Sequence, residues 1–390
     1  MDDPPKPPPL AEANRFGMLD SMRGLAAFSV MLTHFYASTY KYTFLEVLPE
    51  WVVVLIDRYL IYGVDVFFVL SGFVMAFVLS RRPIDAPLFG NFLLRRTARI
   101  GPPYWATIIL ALVYWKLSNV VFTWRQVPMP SFPEIAANVF FVQEILSLPH
   151  VLGVFWTLCI EMQFYLVFGL LVWAESRFRL LDPSSPRTHG WCAVHLGLVA
   201  LSLAIHTGWL PLRPAMAPWF ITFWYSFAAG AFTFRYLTRS IPRWSYWAML
   251  GLLTAATALT YANSVFVSTG SALFILFAGE RGRLGRWLCH PALLYLGAIS
   301  YSLYLVHSLV GPPVMNLSTR LGDSLAVAVG AFLVAILIAI GVSDLMYRLI
   351  ERPATRLSHW LKPTPKPSVP PPVIEPIEPV EPPIEYPPAA

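Results

Sequence analysis

The sequence has few charged residues and few cysteines, and it lacks the short motifs that mark many soluble enzymes. Charged residues are 13% and hydrophobic residues 56% of the 390 residues, whereas about one-quarter of an average soluble domain is charged. This composition leaves no room for a large soluble catalytic domain. Cys159, Cys192 and Cys289 have no spacing typical of a disulfide framework or a zinc site, so we expect buried thiols.

Motifs that carry metal, phosphate or serine chemistry are also missing from the sequence. The chain has no HExxH metal motif, no glycine-rich phosphate loop and no GxSxG nucleophile elbow. We therefore predict no bound metal ion, and the chemistry must come from other residues.

What the sequence has in abundance is long apolar runs, each able to cross about 30 Å of hydrocarbon. The runs do not alternate as barrel strands do, and backbone amides in lipid must bond within their own segment, so each run is predicted to be a helix. The fold class is therefore an all-α polytopic membrane protein with about ten transmembrane helices. The predicted spans are 19–37, 61–79, 104–120, 153–174, 191–207, 218–236, 245–261, 264–279, 291–311 and 324–349.

Basic residues are concentrated on one side of this topology. With the N-terminus in the cytoplasm, the inner segments, taken with Arg23, hold 22 of the 28 lysines and arginines. Cytoplasmic loops carry such an excess, so we predict that both termini are cytoplasmic. The net charge of +6 then reflects orientation in the lipid bilayer and requires no nucleic-acid partner. The inner segments are 1–18, 80–103, 175–190, 235–244, 280–290 and 348 onward.

Three regions follow from the composition along the chain. Residues 1–18 are a cytoplasmic N-terminal tail, 19–352 form one membrane domain, and 353–390 form a cytoplasmic tail rich in proline. Repeated Glu-Pro pairs favour an extended polyproline II conformation without a packed core, so we expect the last region to be disordered. It is a candidate for recruiting a partner protein, with a simple spacer as the alternative interpretation.

Arg23 and His34 form the first candidate constellation, within the apolar stretch RGLAAFSVMLTHF. Eleven residues correspond to about three helical turns, so both side chains share one face and stand roughly 16 Å apart along the axis. A cation near the inner end could hold a phosphate while the imidazole lies deeper. The alternative is an arginine that snorkels to the interface and a histidine bonded to a neighbouring helix.

Arg96 and Arg99 form the second constellation, in FLLRRTARIGPPYW. Their spacing makes them neighbours on one helical face. Two guanidiniums in this arrangement can clamp a phosphate, although arginines are common in any cytoplasmic loop.

Three further polar groups lie inside predicted spans, where ionisable side chains are functional candidates. Asp65 could orient His34, pair with an arginine or cap a helix start. Glu161 has no charge within a turn, so we expect a partner or a cavity-lining role, with protonation as the alternative. His307 belongs to a polar stripe that indicates either a lined cavity or interhelical hydrogen bonds.

Together these groups favour a general base that activates a hydroxyl, next to a clamp for the phosphates of a carrier such as coenzyme A. A secondary transporter or flippase, with the intramembrane His and Glu as a proton relay, is the competing class. No matched pair of interrupted helices points to the inverted repeats of many transporters. A non-catalytic assembly subunit that uses the proline-rich tail is the third interpretation.

Five motifs, in this order, resemble one known family. They read LDSMRGLAAFSVMLTHF, GVDVFFVLSGFVMAF, FLLRRTARIGPPYW, FWTLCIEMQFYL and ISYSLYLVH, and they are spread over nearly all of residues 15–350. In sequence and order they resemble the acyltransferase-3 family of integral-membrane O-acyltransferases. Gly101 departs from the frequent RIYPPYW pattern, because it stands where tyrosine is common.

The resemblance implies ten helices in the plasma membrane of a bacterium. It also implies transfer of an acyl group, by default acetyl from acetyl-CoA as co-substrate, to a hydroxyl of an extracytoplasmic carbohydrate or glycolipid. The family's Arg-x10-His motif maps onto Arg23 and His34, and its Arg-x-x-Arg motif onto Arg96 and Arg99. Four further residues match family motif positions: Asp65, Glu161, Tyr301 and His307.

The predicted mechanism gives each of these residues a role. Arg96 and Arg99, with Arg23, hold the phosphates of acyl-CoA, and His34 deprotonates the acceptor hydroxyl. An acyl-histidine intermediate on His34 is the alternative. Arg23, Glu161 and Asp65 are assigned to the catalytic set together with His34, and Tyr301 and His307 are assigned to the lining of the substrate site.

Overall fold

The computed structural model of the chain describes residues 16–80, 86–123, 126–178, 180, 186–211 and 219–361. Within these residues the secondary structure is helical, and none of them belongs to a β-strand. The predicted all-α class is therefore confirmed.

The helices are numbered here in chain order. The first seven are α1 (Gly17–Tyr36), α2 (Lys41–Val47), α3 (Glu50–Arg58), α4 (Gly63–Leu79), α5 (Ala86–Val121), α6 (Phe132–Val139) and α7 (Trp156–Phe178). The next seven are α8 (Pro186–His206), α9 (Trp224–Leu237), α10 (Arg243–Thr260), α11 (Asn263–Glu280), α12 (Pro291–Ser318), α13 (Leu325–Met346) and α14 (Arg352–Trp360). A π-helical turn, Tyr347–Glu351, joins the last two.

Seven helical stretches among the described residues are long and apolar enough to cross a membrane. They overlap seven of the ten predicted spans. The other three predicted spans, 19–37, 218–236 and 245–261, coincide with α1, α9 and α10, which are helical as well. The count of ten crossings and the orientation of the termini stay predictions.

The distribution of small and large apolar side chains also indicates a membrane protein. On α13 the buried face carries alanines such as Ala331 and Ala335, whereas Leu333 is 55% and Leu337 is 70% exposed. A water-soluble bundle places leucine inside, because burial of large apolar groups drives its folding. Small residues between helices and large apolar residues outside are typical of packing in lipid.

Two close helix crossings at glycine hold the centre of the bundle together. Where α4 crosses α9, a Cβ on Gly72 would lie 1.9 Å from the carbonyl oxygen of Phe227, and a Cβ on Gly230 would lie 1.8 Å from a carbonyl oxygen of α4. Where α1 crosses α12, a Cβ on Gly24 would lie 2.5 Å from the backbone nitrogen of Gly297. Only glycine allows backbones to approach this closely.

The long helix α5 contains both the second arginine motif and the third predicted span. It has 36 residues and includes Pro102 and Pro103, so it is about 54 Å long at 1.5 Å per residue. Arg96 and Arg99 are therefore held on a continuous helix, where their spacing does put them on one face.

The structure differs from the prediction at the start of the C-terminal tail. The segment 353–390 was predicted to be disordered, but α14 continues as a helix to Trp360 and packs against α5. Arg95 Nε donates a hydrogen bond of 3.0 Å to the carbonyl oxygen of Ser358. No proline interrupts the helix after Pro353, which stands in the first turn, where proline is tolerated. Residues 1–15 and 362–390, which hold most of the two predicted tails, lie outside the described residues.

One buried ion pair has a structural explanation. Arg235 Nη2 lies 2.6 Å from Glu175 Oε2, and Trp191 Nε1 donates to Glu175 Oε1 at 2.7 Å. Each oxygen of the carboxylate thus has a donor, and the pair joins α7 to α8 and α9. Buried charges are stable when they are paired and hydrogen-bonded in this way.

Candidate active site

His34 is in direct contact with a second histidine. The crossing of α1 and α12 brings His34 Nδ1 to 3.0 Å from His307 Nε2, and the two rings stack with centroids 5.0 Å apart. His307 is completely buried, and its Nδ1 lies 3.1 Å from the carbonyl oxygen of Leu303, one turn earlier on α12.

This chain of contacts selects one tautomer of the neutral pair. The carbonyl oxygen of Leu303 can only accept, so the proton of His307 must be on Nδ1 and its Nε2 must accept. His34 then donates from Nδ1, which leaves the lone pair of His34 on Nε2. A nitrogen with a free lone pair, fixed by a hydrogen bond at the opposite ring position, is the arrangement required of a general base.

Two cavities lie next to each other among the membrane helices. The arginine cavity has a volume of about 940 Å³, counting space open to solvent, and its polar lining residues are Arg23, Ser71, Arg96, Arg99, Thr157, Glu161, Tyr165, Tyr301, Tyr304 and Glu351. The histidine cavity has a volume of about 810 Å³ on the same basis, and its polar and aromatic lining residues are His34, Tyr62, Asp65, Trp156, His206, Phe223, Ser264 and Tyr304.

Val64 and Tyr304 line both cavities and therefore form the wall between them. The Tyr304 hydroxyl lies 2.8 Å from Thr157 Oγ1 and donates to the carbonyl oxygen of Val154 at 3.2 Å. Its ring is 5.9 Å from that of His307. The separation between the cavities is thus one side chain deep, beside the histidine pair.

The guanidiniums of the arginine cavity are available to an anion. Within the described part of the chain, no carboxylate oxygen lies within 4.0 Å of Arg96 or Arg99, and Arg23 has only Asp20 at that limit. Arg96 stacks over the ring of Tyr165, with its guanidinium carbon 5.1 Å from the centroid. Such stacking fixes the orientation of the guanidinium without neutralising its charge.

The two carboxylates of this cavity bond to hydroxyl groups instead. Ser71 Oγ donates to Glu161 Oε1 at 2.7 Å, and the Tyr165 hydroxyl donates to the same oxygen. Glu351 Oε2 accepts from Ser302 Oγ at 2.6 Å and from the backbone nitrogen of Ser302 at 3.2 Å. The cavity therefore combines three arginines with two carboxylates that do not pair with them at close range.

Asp65 lies in the histidine cavity, in the first turn of α4, and its carboxylate contacts neither of the two side-chain partners considered from sequence. Its Oδ1 accepts a hydrogen bond of 3.1 Å from the hydroxyl of Tyr225. Among the described residues, no arginine lies within 4.0 Å of the carboxylate, and no hydrogen bond joins it to His34. Tyr225, on α9, could not be assigned to Asp65 from the sequence.

The structure brings the predicted site residues together around two cavities, and it places one of them, His307, behind His34 and outside both cavity linings. His34 and Asp65 line the histidine cavity. His307 differs from its predicted substrate-lining role, because it is fully buried behind His34 and lines neither cavity. Among the described residues no group of three His, Cys, Asp or Glu side chains could hold a metal ion. The residues that line the arginine cavity are Arg23, Arg96, Arg99, Glu161 and Tyr301.

A carboxylate and a histidine of the cavities, Glu351 and His206, are not among the residues predicted from the sequence. Glu351 follows the last predicted span, where a carboxylate is typical of the membrane surface, but the π-helical turn directs it inward, and it is 6% exposed. His206 lies at the end of the predicted span 191–207, so the rule that singled out Asp65 and Glu161 could have found it.

Comparison with known proteins identifies the family of the chain. A family model described as an acyltransferase domain, that of acyltransferase-3, matches residues 17–348. Acyltransferase MdmB of Streptomyces mycarofaciens is 26% identical over 328 residues, which covers 76% of this chain and 81% of that protein. Exopolysaccharide production protein ExoZ of Rhizobium meliloti (strain 1021) is 33% identical over 125 residues, 30% of this chain and 36% of that protein.

No solved structure matches the chain significantly. The family match nevertheless spans both arginine motif positions, the histidine pair and the wall between the cavities. The chain is an acyltransferase and belongs to the acyltransferase-3 family.

Proposed function

We propose that the protein transfers an acyl group, by default acetyl, from cytoplasmic acyl-CoA to a hydroxyl of an extracytoplasmic carbohydrate or glycolipid. The observation that carries the proposal is the position of His34, which lines one cavity while its partner His307 touches the wall to a second cavity that contains arginines. A donor in one cavity and an acceptor in the other would meet at that wall.

The arginine cavity suits the donor. Coenzyme A presents several phosphates, and the guanidiniums of Arg96 and Arg99, which have no carboxylate oxygen within 4.0 Å among the described residues, supply charge-assisted hydrogen bonds, with Arg23 nearby. The pantetheine arm is thin enough to follow the apolar part of the cavity towards Val64 and Tyr304. The acyl thioester then lies beside the wall.

The histidine cavity suits the acceptor and the base. His34 Nε2 takes the proton of the acceptor hydroxyl as its oxygen attacks the thioester carbon. A carbon–oxygen bond forms, the carbon–sulfur bond breaks, and the thiolate of CoA takes the proton from His34. The overall products are the O-acyl acceptor and free CoA.

The acceptor class is proposed from both the cavity and a relative. The matched relative ExoZ is named for exopolysaccharide production. A carbohydrate or glycolipid in the envelope of a bacterium would reach the histidine cavity from the face opposite the arginines, with the protein in the inner membrane. The bilayer and this acceptor are therefore the proposed partners.

The test is turnover of radiolabelled acetyl-CoA by the purified protein in nanodiscs. We expect wild type to release or transfer acetyl, His34→Ala to bind CoA without turnover, and Arg96→Ala/Arg99→Ala to lose CoA affinity. His189→Ala and Arg286→Ala are matched controls, because both residues are exposed and line neither of the two cavities. Undiminished turnover by His34→Ala, or wild type that neither binds nor turns over acetyl-CoA, would refute the proposal.

The covalent variant of the mechanism has its own measurement. In an acid quench followed by mass spectrometry, general-base catalysis leaves His34 unmodified, whereas a double displacement leaves acetyl on its ring. Acetyl on the His34 ring would contradict direct transfer and support an acyl-histidine intermediate.

A further inference from the structure

The histidine cavity contains a polar cluster that the transfer step itself does not use. His206 Nε2 lies 2.6 Å from Ser264 Oγ and 3.3 Å from the hydroxyl of Tyr225, which in turn donates to Asp65 Oδ1. The residues come from four helices, α8, α11, α9 and α4, so the cluster forms only in the folded protein. His206, Ser264 and Asp65 line the cavity, and Tyr225 is fully buried behind them.

The cluster is unusual because it is polar, largely buried and without a cation. Asp65 is 4% exposed and Ser264 is 6% exposed. In the described part of the chain, no lysine, arginine or histidine nitrogen lies within 4.0 Å of the Asp65 carboxylate. Polar groups at such depth in a membrane protein are expensive unless they bind something.

Aromatic side chains complete the cavity. Trp156 and Phe223 line it with ring centroids 5.3 Å apart, and Tyr62 lines it from the segment before α4. Apolar and aromatic walls with a few convergent hydrogen-bonding groups are typical of sites for small organic ligands. The carbon face of a sugar ring fits an aromatic wall, and its hydroxyls fit the polar groups.

We propose that Asp65 and His206 form an acceptor subsite that binds a second hydroxyl of a saccharide ring while another hydroxyl of the ring faces His34. Tyr225 and Ser264 are positioning residues that hold the carboxylate and the imidazole. The inference rests on the proposed acyl transfer and adds the residues that recognise the acceptor: through Asp65 and His206 the site selects a ring with several hydroxyls over a simple alcohol.

The reason for this selectivity is hydrogen bonding. A saccharide hydroxyl can donate to the Asp65 carboxylate or bond to the His206 ring, so the groups of the subsite stay satisfied when water is displaced. A monohydroxy alcohol displaces the same water and leaves the remaining acceptor positions of the Asp65 carboxylate without a donor, which a buried site penalises strongly.

The experiment compares two acceptor probes that both partition into lipid, octyl β-D-glucoside and 1-octanol, in the nanodisc assay with radiolabelled acetyl-CoA. Wild type should have a kcat/KM for the glucoside at least about tenfold above that for octanol. His206→Phe and Asp65→Asn should reduce that preference about tenfold, mainly by raising the KM for the glucoside. His206→Gln, which retains hydrogen-bonding groups, should keep more of the preference than His206→Phe.

His189→Asn is the control, because it changes a histidine of the same helix that is exposed and does not line the cavity. Equal use of both probes by wild type, failure of wild type to acetylate the glucoside while it still turns over acetyl-CoA, or an unchanged preference in His206→Phe would overturn the subsite. CoA binding is measured in the same samples, so loss of CoA binding and of all turnover in wild type identifies failure of the proposed function instead.

Discussion

At the scale of single residues, the proposed general base His34 depends on His307, which lines neither cavity. His307 Nε2 accepts from His34 Nδ1, because His307 Nδ1 is committed to the carbonyl oxygen of Leu303. The second histidine therefore acts on the tautomer and ring orientation of the first. In other proteins, loss of a group that orients a metal-binding histidine typically lowers metal affinity or activity about 10–100-fold.

His307→Leu tests this role. The change removes the acceptor for His34 Nδ1, so we expect kcat to fall about 10–100-fold while CoA affinity stays within about twofold, since His307 does not line the arginine cavity. Steady-state kinetics and CoA binding by calorimetry measure the two quantities.

His307→Gln is the matched variant, because its amide oxygen can accept the same hydrogen bond. We expect it to recover part of the lost kcat. A His307→Leu protein as active as wild type would show that the contact does not position His34.

At the scale of helices, the α4–α9 crossing positions Asp65 opposite Tyr225. Gly230→Val should disturb this crossing, since even a Cβ there would lie 1.8 Å from a carbonyl oxygen. Overpacking costs about 1–3 kcal/mol where neighbours can adjust, and more where the obstacle is backbone. We expect a lower melting temperature and loss of turnover.

Gly251→Val is the control for this prediction, because no atom lies within 4 Å of a Cβ at that position and the residue is exposed. Its melting temperature in detergent should match wild type within a few degrees. Equal stability of the two variants would contradict the account of the crossing.

The helix α14 supports the arginine-bearing part of α5. Arg95 Nε and Asn91 Nδ2 donate to the carbonyl oxygens of Ser358 and Leu361, at 3.0 and 2.8 Å. A chain truncated after Leu361 should keep CoA affinity, whereas one truncated after Arg352 should bind CoA at least about tenfold more weakly, because Arg96 and Arg99 lie within about two turns of these contacts. Similar loss of CoA affinity in both truncations would instead assign the effect to residues 362–390.

At the scale of the whole molecule, the two cavities give the protein a donor side and an acceptor side. Arg23 lies near the start of α1 and His34 near its end, so donor and acceptor sites are displaced along the helix axis. Transfer from cytoplasmic acyl-CoA requires the end of α1 that carries Arg23 to face the cytoplasm. The bias of basic residues along the sequence predicts the same orientation.

Single-cysteine labelling tests this orientation in cells. The three native cysteines are free and can be replaced first. A cysteine at Arg320 should react with a membrane-impermeant maleimide from outside, whereas one at Arg286 should react only after the membrane is opened. Both positions are exposed in the structure, so burial does not bias the comparison. The reverse pattern would place the arginine cavity on the outer side and contradict the donor assignment.

Two features of the candidate site could be predicted from local sequence. The shared faces of Arg23 with His34 and of Arg96 with Arg99 follow from helical periodicity alone, which depends only on residues a few turns apart. The ionisable groups Asp65, Glu161 and His307 stood out because charge is rare within apolar spans. Periodicity and composition within one helix do not report which helix lies next to which.

The sequence by itself determined a helical multi-pass protein, because an apolar run without alternation can satisfy its backbone hydrogen bonds in lipid only as a helix. It also determined the acyltransferase-3 family through the order of its motifs. Only the tertiary structure decided that His34 meets His307, 273 residues away, and that Asp65 meets Tyr225, 160 residues away. The physical reason is that helix pairing depends on side-chain packing and on close crossings at glycine between distant segments, and periodicity within one helix carries no information about its neighbour.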